Sequence, residues 1–336
     1  MNRPARRRTA ACVAVAAIAA GGLASIPSSA LATVDYTTVG GRTYASASIP
    51  SGQTYTCNRS GTADGSNNVT WTDNGVPVTR SFATSTTFTR SNATTDKTTV
   101  QTSGSATVTA TPVSTGAAPA TITGSASVTA SATSALASTG CTVYGDAYRR
   151  AEGGFTLTQP MWATISGSGD GTGRGSVYVY DETSQTGIEL GPRASGSTTV
   201  LLPAGEVGVS FGADVYVSAS GTREEAASYS GTFRIDLQPV GAAGAVDGKG
   251  AGYVQLGARD CATGTVAAVV TKKAKKKARS VLVRANGAKV AKLKGKKLKP
   301  TMLAVPANRL APVTVSAKVA LKNGKKATVT RSYLAC

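Results

Sequence analysis

The 336-residue sequence predicts an all-β protein built from β-sandwiches. Three observations favour this fold class. Apolar residues alternate with small or polar residues in several segments, which is the period expected of strands that bury one face. Two Asn-Gly pairs separate such alternating runs, and this arrangement is a strong signal for β-hairpins. No long segment shows the period of an amphipathic helix.

Residues 1–32 are predicted to be a cleaved secretion signal. Four arginines precede the apolar run Ala10–Ala20, and the small residues Ala30 and Ala32 place the cleavage before Thr33. The alternative is a membrane anchor, but this run is too short to cross about 30 Å of hydrocarbon as a helix. No second long apolar stretch follows. We therefore expect a secreted, extracellular protein without a transmembrane segment.

The cysteines of the mature chain agree with export. Four remain after the signal is removed, namely Cys57, Cys141, Cys261 and Cys336. An even number of cysteines in an exported protein favours disulfides. Three pairings are possible, and we favour Cys57–Cys141 with Cys261–Cys336 because each closes one region of distinct composition. Metal binding is the alternative, but no two cysteines are close in sequence and the chain has no histidine.

A step in charge divides the mature chain. Residues 262–336 contain 19 Lys or Arg and no acid, whereas residues 33–261 carry a net charge of −4. The cation also changes from mostly Arg to mostly Lys. We therefore predict a β-sandwich region at 33–239, a Gly- and Ala-rich linker at 240–252 and a basic β-sandwich at 253–336. Whether residues 33–239 form one domain or two is left open.

The strands of the first region are predicted from alternation. Two near-copies, Gly104–Pro112 and Gly124–Ala132, indicate similar neighbouring strands. A third strand carries apolar residues at every second position from Val207 to Val217, and a fourth runs through Phe233, Ile235 and Leu237. The alternative for the Ser- and Thr-rich part is a disordered stalk. The strict alternation argues against a disordered stalk, and so does the predicted Cys57–Cys141 disulfide, which encloses this segment.

Two hairpins are predicted in the basic region. Asn286-Gly287 and Asn323-Gly324 each lie between alternating runs, and both turn residues are expected to adopt positive φ. In the second hairpin the residues from Val313 to Leu321 that share one face are apolar, while Thr314, Ser316, Lys318 and Lys322 share the other. The lysine-rich segment Lys272–Lys277 is expected to be a loop.

The basic region resembles a known family. The runs "RSVLVRANGAKVAKLKGKKL" and "VTVSAKVALKNGKKATVTRSYLAC" resemble the small immunoglobulin-like β-sandwiches that end many secreted proteins of high-GC actinobacteria. The shared motifs are the two hairpin turns and the closing Thr330-Arg331-x-Tyr333-x-x-Cys336. Ala285 replaces the usual Val before the first turn. The resemblance covers about a quarter of the chain. It implies an immunoglobulin-like fold and a secreted protein, but no catalytic residue.

A second resemblance covers Phe155 to Pro239. This part is similar to the jelly-roll-like sandwiches of bacterial surface proteins, in which an F-x-L strand opens and an LPAG turn leads into a long strand. The complete fold prediction is thus all-β, with a jelly-roll-like or related β-sandwich region followed by a small immunoglobulin-like β-sandwich.

The composition excludes several kinds of chemistry. Without histidine there is no Ser-His-Asp or Cys-His catalysis and no HExxH zinc site. The Gly-rich stretch Gly167–Gly175 lacks the spacing of a phosphate loop, and its Asp170 is more simply a solvated turn residue than a Ca²⁺ ligand. In each of the acid pairs Asp181-Glu182 and Glu224-Glu225, the two neighbouring side chains would point to opposite faces of a strand. Neither pair alone can therefore form a catalytic site. We therefore predict no catalytic, cofactor-binding or metal-binding residue, and no enzyme.

Aromatic residues are sparse. Trp162, Tyr178, Tyr180 and Tyr216 lie in or near predicted strands, and Tyr178 and Tyr180 share a face on which a sugar could stack. Because the sandwich core is otherwise rich in Val and Ala, core packing is the expected role for at least some of the four.

Three functions remain. The first is a non-catalytic secreted or cell-surface protein with a structural or adhesive role. The second is a secreted protein that binds polyanions, such as anionic cell-wall polymers, anionic lipid surfaces or nucleic acid, through its basic domain. Its candidate contacts are Lys272, Lys273, Lys275, Lys276 and Lys277. The third is a glycan-active enzyme with a basic accessory module. The sequence does not determine the oligomeric state.

Overall fold

The computed structural model describes residues 33–62, 68–111, 120–134, 140–220 and 224–336. The predicted signal at 1–32 and the end of the first near-copy at Pro112 lie outside these residues. The described chain is almost entirely β, which confirms the predicted all-β sandwich class. Among these residues no helix has both the length and the apolar character needed to cross a lipid bilayer.

Twelve strands build the first sandwich. In chain order they are β1 (Thr33–Ser48), β2 (Cys57–Gly61), β3 (Val78–Arg90), β4 (Ala93–Ala110), β5 (Ala120–Ser134), β6 (Thr142–Leu157), β7 (Met161–Gly171), β8 (Arg174–Asp181), β9 (Gln185–Leu190), β10 (Ala194–Leu202), β11 (Gly205–Ala219) and β12 (Glu225–Pro239). They form a five-stranded sheet in the order β1-β6-β11-β8-β9 and a seven-stranded sheet in the order β10-β7-β12-β5-β4-β3-β2. All pairings between these strands are antiparallel.

The two sheets enclose one hydrophobic core. The alternating apolar residues of β11 and β12 point into it, as predicted, and the rings of Phe211 and Phe233 stack with centroids 5.2 Å apart. Gly124 on β5 leaves space for the Phe211 ring, since a Cβ at this position would lie 1.9 Å from it. Gly124 lies opposite Val108 of β4 in the sheet.

The two near-copies are neighbouring strands, which confirms that prediction. β4 pairs with β5 so that Ala106 lies opposite Ala126. Within the near-copies the apolar positions are buried, whereas the hydroxyl residues lie on the outer face. There Ser103 and Thr129 are hydrogen-bonded at 2.7 Å, and similar hydroxyl pairs recur across the sheet. The disordered-stalk alternative is therefore wrong for this part of the described chain, because alternation buries one face of each strand.

Seven strands build the second sandwich. They are β13 (Val254–Asp260), β14 (Thr265–Val270), β15 (Ala278–Ala285), β16 (Ala288–Lys294), β17 (Thr301–Pro306), β18 (Val313–Leu321) and β19 (Lys326–Tyr333), with a helix α1 (Lys272–Lys277) and a 3₁₀ turn at Gly295–Lys297. A three-stranded sheet, β13-β14-β17, and a four-stranded sheet, β16-β15-β18-β19, enclose a second core. Apart from Tyr333, the buried residues of this core are Val, Ala and Leu.

Both hairpins are present, and one turn differs from expectation. Asn286 and Gly287 have φ values of 46° and 80°, as the two-residue turn requires. In the second hairpin only Gly324 has positive φ, at 82°, so the expectation for Asn323 is wrong. The reason is the length of the loop. Residues 322–325 form a four-residue loop, in which the Gly324 amide donates a hydrogen bond to the Leu321 carbonyl.

The lysine-rich segment is a helix, which corrects the predicted loop. Lys272–Lys277 forms α1, and the Thr271 side chain caps it by accepting a hydrogen bond from the Ala274 amide. Ala274 is fully buried and anchors the turn in the second core. The cap and this one apolar contact therefore outweigh the repulsion between the surrounding lysines, all of which face solvent.

The expected linker at 240–252 is hydrogen-bonded along β19. The amides of Gly244, Asp247 and Gly250 donate to carbonyls of that strand, and the Thr330 amide donates back to the Asp247 carbonyl. Residues 241–250 therefore follow the edge of the four-stranded sheet. Their Gly- and Ala-rich composition had instead predicted a flexible linker without such hydrogen bonds.

The cysteines pair as favoured from the sequence. Cys57 is bonded to Cys141 with Cα atoms 6.0 Å apart, and Cys261 to Cys336 with Cα atoms 5.6 Å apart. The first disulfide joins the start of β2 to the residue before β6. The second joins the end of β13 to the C-terminal residue. Each crosslink lies within one of the two sandwiches.

Candidate functional site

The outer surface of the four-stranded sheet carries a cluster of cations, which we call the basic face. Its members are Arg284, Lys289, Lys292, Lys294, Lys318 and Lys326. All six are exposed, and they come from four strands that the sheet places side by side.

Register explains why these cations share a face. Leu282 of β15 lies opposite Lys292 on one neighbouring strand and Lys318 on the other. One row further, Ser280 connects Lys294 to Ala320, which lies opposite Lys326. Directly opposed residues project from the same side of a sheet. The inner positions between them are Val281, Val283 and their neighbours, which fill the core.

One acid, Asp247, lies at the edge of this surface, opposite Thr330 of β19. Residues 262–336 contain no Asp or Glu, and within the described chain none of the six cations forms an ion pair. The nearest acid in sequence, Asp260, accepts hydrogen bonds from Thr263 and Ala262 in its own turn. The Thr263 hydroxyl and amide hold the pKa of Asp260 below its ordinary value. The basic face therefore has a positive potential, because its six cations outnumber the one acid at its edge.

The five predicted contact lysines adjoin this face. They project from α1, whose last carbonyl, on Lys277, accepts a hydrogen bond from the Lys322 amide at the β18–β19 turn. β15 starts directly after the helix, so α1 lies beyond the sheet end that carries Lys294 and Lys326. Lys273 also places its ammonium 5.1 Å from the centre of the Tyr253 ring.

Sequence reasoning missed most of the basic face. The outward position of Lys318 was predicted from alternation in the second hairpin, and the same parity within the first hairpin applies to Lys292 and Lys294. The missing information was that β15 pairs with β18, which joins the two hairpins into one sheet. That pairing brings the lysines of both hairpins together.

The acidic residues considered as catalytic or Ca²⁺-binding candidates accept hydrogen bonds from nearby residues. Asp170 accepts a bond from the Gly171 amide, and Asp181 accepts bonds from Thr183 and Ser184, which lower the pKa of its carboxyl. Glu225 accepts a bond from the Ser218 amide. Within the described ranges no three Asp, Glu, Cys or His side chains gather as a metal site would require.

The four aromatic candidates lie outside the core, which corrects the expected packing role. Tyr178 and Tyr180 do share an outer face, but their rings lie over Gly187 and Gly208 of the neighbouring strands. The Trp162 indole donates to the Ala335 carbonyl at 3.0 Å. The inner positions of β8 are taken by Val177 and Val179, because successive side chains of a strand point to opposite faces.

Comparison with known proteins does not assign a family. No protein-family model matches the chain, and no curated protein matches it significantly. The function must therefore be inferred from the described surfaces.

Proposed function

We propose that this chain is a secreted, non-catalytic adhesive protein that attaches to an anionic cell-wall polymer through its basic face. The observation that carries the proposal is the convergence of six exposed cations on one sheet surface, against a single acid, Asp247, at its edge. The disulfides and the predicted signal support export, and export exposes this surface to wall polymers.

The spacing of the cations suits a chain of phosphates. Outward residues recur roughly every 6.8 Å along a strand and about 4.8 Å across strands, so the face offers a grid of positive charge. Most members are lysines, whose ammonium groups act as point charges rather than as planar forks. Binding would release condensed counterions from the polymer and would therefore weaken steeply with salt.

A polyol-phosphate polymer fits this surface better than nucleic acid. Proteins that bind single-stranded nucleic acid commonly stack bases on aromatic side chains. The outward residues between the cations here are Ser280, Leu282, Ser316, Thr328 and similar small groups, and none is aromatic. The surface thus attracts phosphate charge without offering a platform for bases.

The architecture supports the role of the second sandwich as a separate attachment module. Its own core and its own disulfide hold the sheet that displays the cations. We propose that it is the immunoglobulin-like domain indicated by its sequence motifs, and that the first, jelly-roll-like sandwich projects from the wall. The rigid sheet positions the charges before binding, which reduces the entropy lost when the polymer docks.

Removing two lysines from the centre of the basic face should weaken polymer binding. For Lys292→Ser/Lys318→Ser we expect retention on immobilised teichoic acid to fall about tenfold at about 50 mM salt. The slope of log affinity against log salt should decrease by about 2, since each lost phosphate contact removes about 1. Affinity chromatography and titration over a salt series measure both quantities.

A matched variant controls for total charge. Arg59→Ser/Lys97→Ser removes two exposed cations of the first sandwich, away from the basic face, and it should keep at least half of the wild-type affinity. Replacing the five α1 lysines by serine should lower the slope further, because the helix adjoins the face. No retention of the wild-type chain, or equal losses in both double variants, would refute the proposal. Equal binding of single-stranded DNA and teichoic acid would refute the choice of polymer.

A further inference from the structure

A second surface, on the first sandwich, carries aromatic and acidic residues side by side. We call it the tyrosine–aspartate patch and define it as Tyr44, Tyr144, Asp146, Asp214 and Tyr216. These residues lie on β1, β6 and β11, which are adjacent in the five-stranded sheet. None was a sequence-based candidate except Tyr216.

The register of three strands creates the patch. Asp146 lies opposite Tyr44 on one side and Tyr216 on the other. Tyr144 is the next outward residue of β6 in one direction, and Asp214 is the next outward residue of β11 in the other. Tyrosines and carboxylates therefore alternate over neighbouring positions of one flat surface.

The tyrosines are unusually accessible. Tyr44 is 50% exposed and Tyr216 is 56% exposed, in a chain with only 5% aromatic residues. The rings of Tyr144 and Tyr216 lie 6.2 Å apart between centroids and are tilted by 31°. Burying such rings would contribute strongly to folding, yet here they face solvent. Their position favours a role in contact with a ligand.

The pKa values of both carboxylates of the patch are raised, although Asp146 is only half-buried and Asp214 is exposed. Burial raises the pKa of Asp146, Arg42 partly offsets this, and Asp214 raises it further. Burial likewise raises the pKa of Asp214, with Arg174 acting in the opposite direction. The Arg42 guanidinium lies 4.0 Å from the Asp146 carboxylate. Two acids thus face two arginines, and the surface is close to neutral.

The geometry points to binding of a neutral oligosaccharide at this patch. Two pyranose rings of one oligosaccharide would stack their apolar C–H faces, one on Tyr44 and one on Tyr216, since these tyrosines are separated by two inter-strand spacings, about 10 Å. The carboxylates of Asp146 and Asp214 would accept hydrogen bonds from sugar hydroxyls, and Arg42 would donate one. The balanced charge selects against a strongly anionic or cationic ligand.

This site is independent of the basic face. It belongs to the other sandwich, and its ligand is uncharged, so its binding is expected to persist at high salt. It would let one chain hold a neutral glycan and an anionic polymer together, and thereby crosslink two components of an extracellular matrix.

The test is an array of neutral glucan, mannan, xylan, galactan and chitin oligosaccharides, probed with the full chain at about 500 mM salt, where attraction to charged polymers is screened. Calorimetry then measures affinity for the best ligand. We expect Tyr44→Ala and Tyr216→Ala each to lose at least tenfold in affinity. Tyr178→Ala is the matched control, since it removes a tyrosine from the same sheet surface several rows away. It should retain the wild-type affinity.

Clear outcomes overturn the inference. They are the absence of binding to every neutral glycan on the array, or a loss in Tyr178→Ala as large as that in Tyr216→Ala. Specific retention of a protein partner in place of any glycan would also overturn it. Circular dichroism of each variant separates loss of binding from loss of the fold.

Asp214 provides a readout that a merely structural residue would not give. For Asp214→Asn we expect weaker glycan binding, by at least fivefold, together with a higher thermal unfolding temperature at pH 7. The stability gain arises because the pKa of Asp214 is raised in the folded state, so its ionised form opposes folding above the ordinary carboxyl pKa.

That gain in stability should shrink as the pH falls towards the ordinary carboxyl range, where the wild-type side chain becomes protonated. Asp146, Tyr148, Arg174 and Tyr229 interact with Asp214 and are unchanged in the variant. Thermal unfolding from pH 4 to pH 8 measures the difference. A variant that is less stable than wild type at pH 7 and binds glycan normally would show that Asp214 has a structural role only.

Discussion

Replacing Cys261 and Cys336 by serine is expected to lower the free energy of unfolding of the second sandwich by about 4 kcal/mol. The bond closes a loop with a sequence separation of 75, and the chain-entropy model assigns about this magnitude to a loop of that length. The core it supports consists of Val, Ala and Leu around Tyr333, so little other stabilisation is available.

Thermal unfolding of the whole chain provides the measurement. For a domain of this size each kcal/mol corresponds to about 4–8 °C, so the transition of the second sandwich should move down by about 20 °C or more. The control is Cys57→Ser/Cys141→Ser, which should destabilise the first sandwich and leave the second transition in place. A shift below about 3 °C for Cys261→Ser/Cys336→Ser would contradict the prediction.

The second large effect is expected at Arg259. This arginine is only 7% exposed, and its guanidinium donates to the backbone carbonyls of Asn308, Ala311 and Leu334. It thereby connects β13 to the loop before β18 and to the end of the chain. Removing the donors would leave three partly buried carbonyls without these partners, and hydrogen bonds to a charged group are individually strong.

For Arg259→Met we therefore expect a loss of about 2–4 kcal/mol in unfolding free energy, measured by urea denaturation. Arg259→Lys should recover only part of it, because one ammonium cannot reproduce the planar fork that reaches three carbonyls. The control Arg279→Met changes an exposed arginine of β15 and should alter stability by about 0.5 kcal/mol or less. Equal stability of the Arg259→Met and Arg279→Met variants would disprove the role of Arg259.

Polymer retention distinguishes the two variants that lose stability from the variant that loses lysines of the basic face. Loss of either the Cys261–Cys336 bond or the Arg259 contacts should reduce polymer retention only where the second sandwich unfolds. Lys292→Ser/Lys318→Ser should instead reduce retention while the unfolding temperature stays within a few degrees of wild type. Measuring binding and stability on the same samples therefore separates the attachment surface from its scaffold.

The sequence by itself determined the local features of this protein. Alternation predicted which side of β11, β12 and β18 is buried, because successive side chains of a strand must point to opposite faces. Composition predicted the cysteine pairing, and the Asn-Gly pairs located both hairpins. The buried faces and the turns depend on covalent geometry and on residues near one another in the chain, whereas the cysteine pairing followed from the step in composition between the two regions.

Only the tertiary structure decided which strands are neighbours. The pairing of β15 with β18 collects Lys292 and Lys318 on one face, and the pairing of β6 with β1 and β11 collects Tyr44, Asp146 and Tyr216. Hydrophobic burial has no direction, so an alternating pattern requires a covered face without specifying the partner. Strand order follows from packing of the complete core, and both proposed binding surfaces are products of that order.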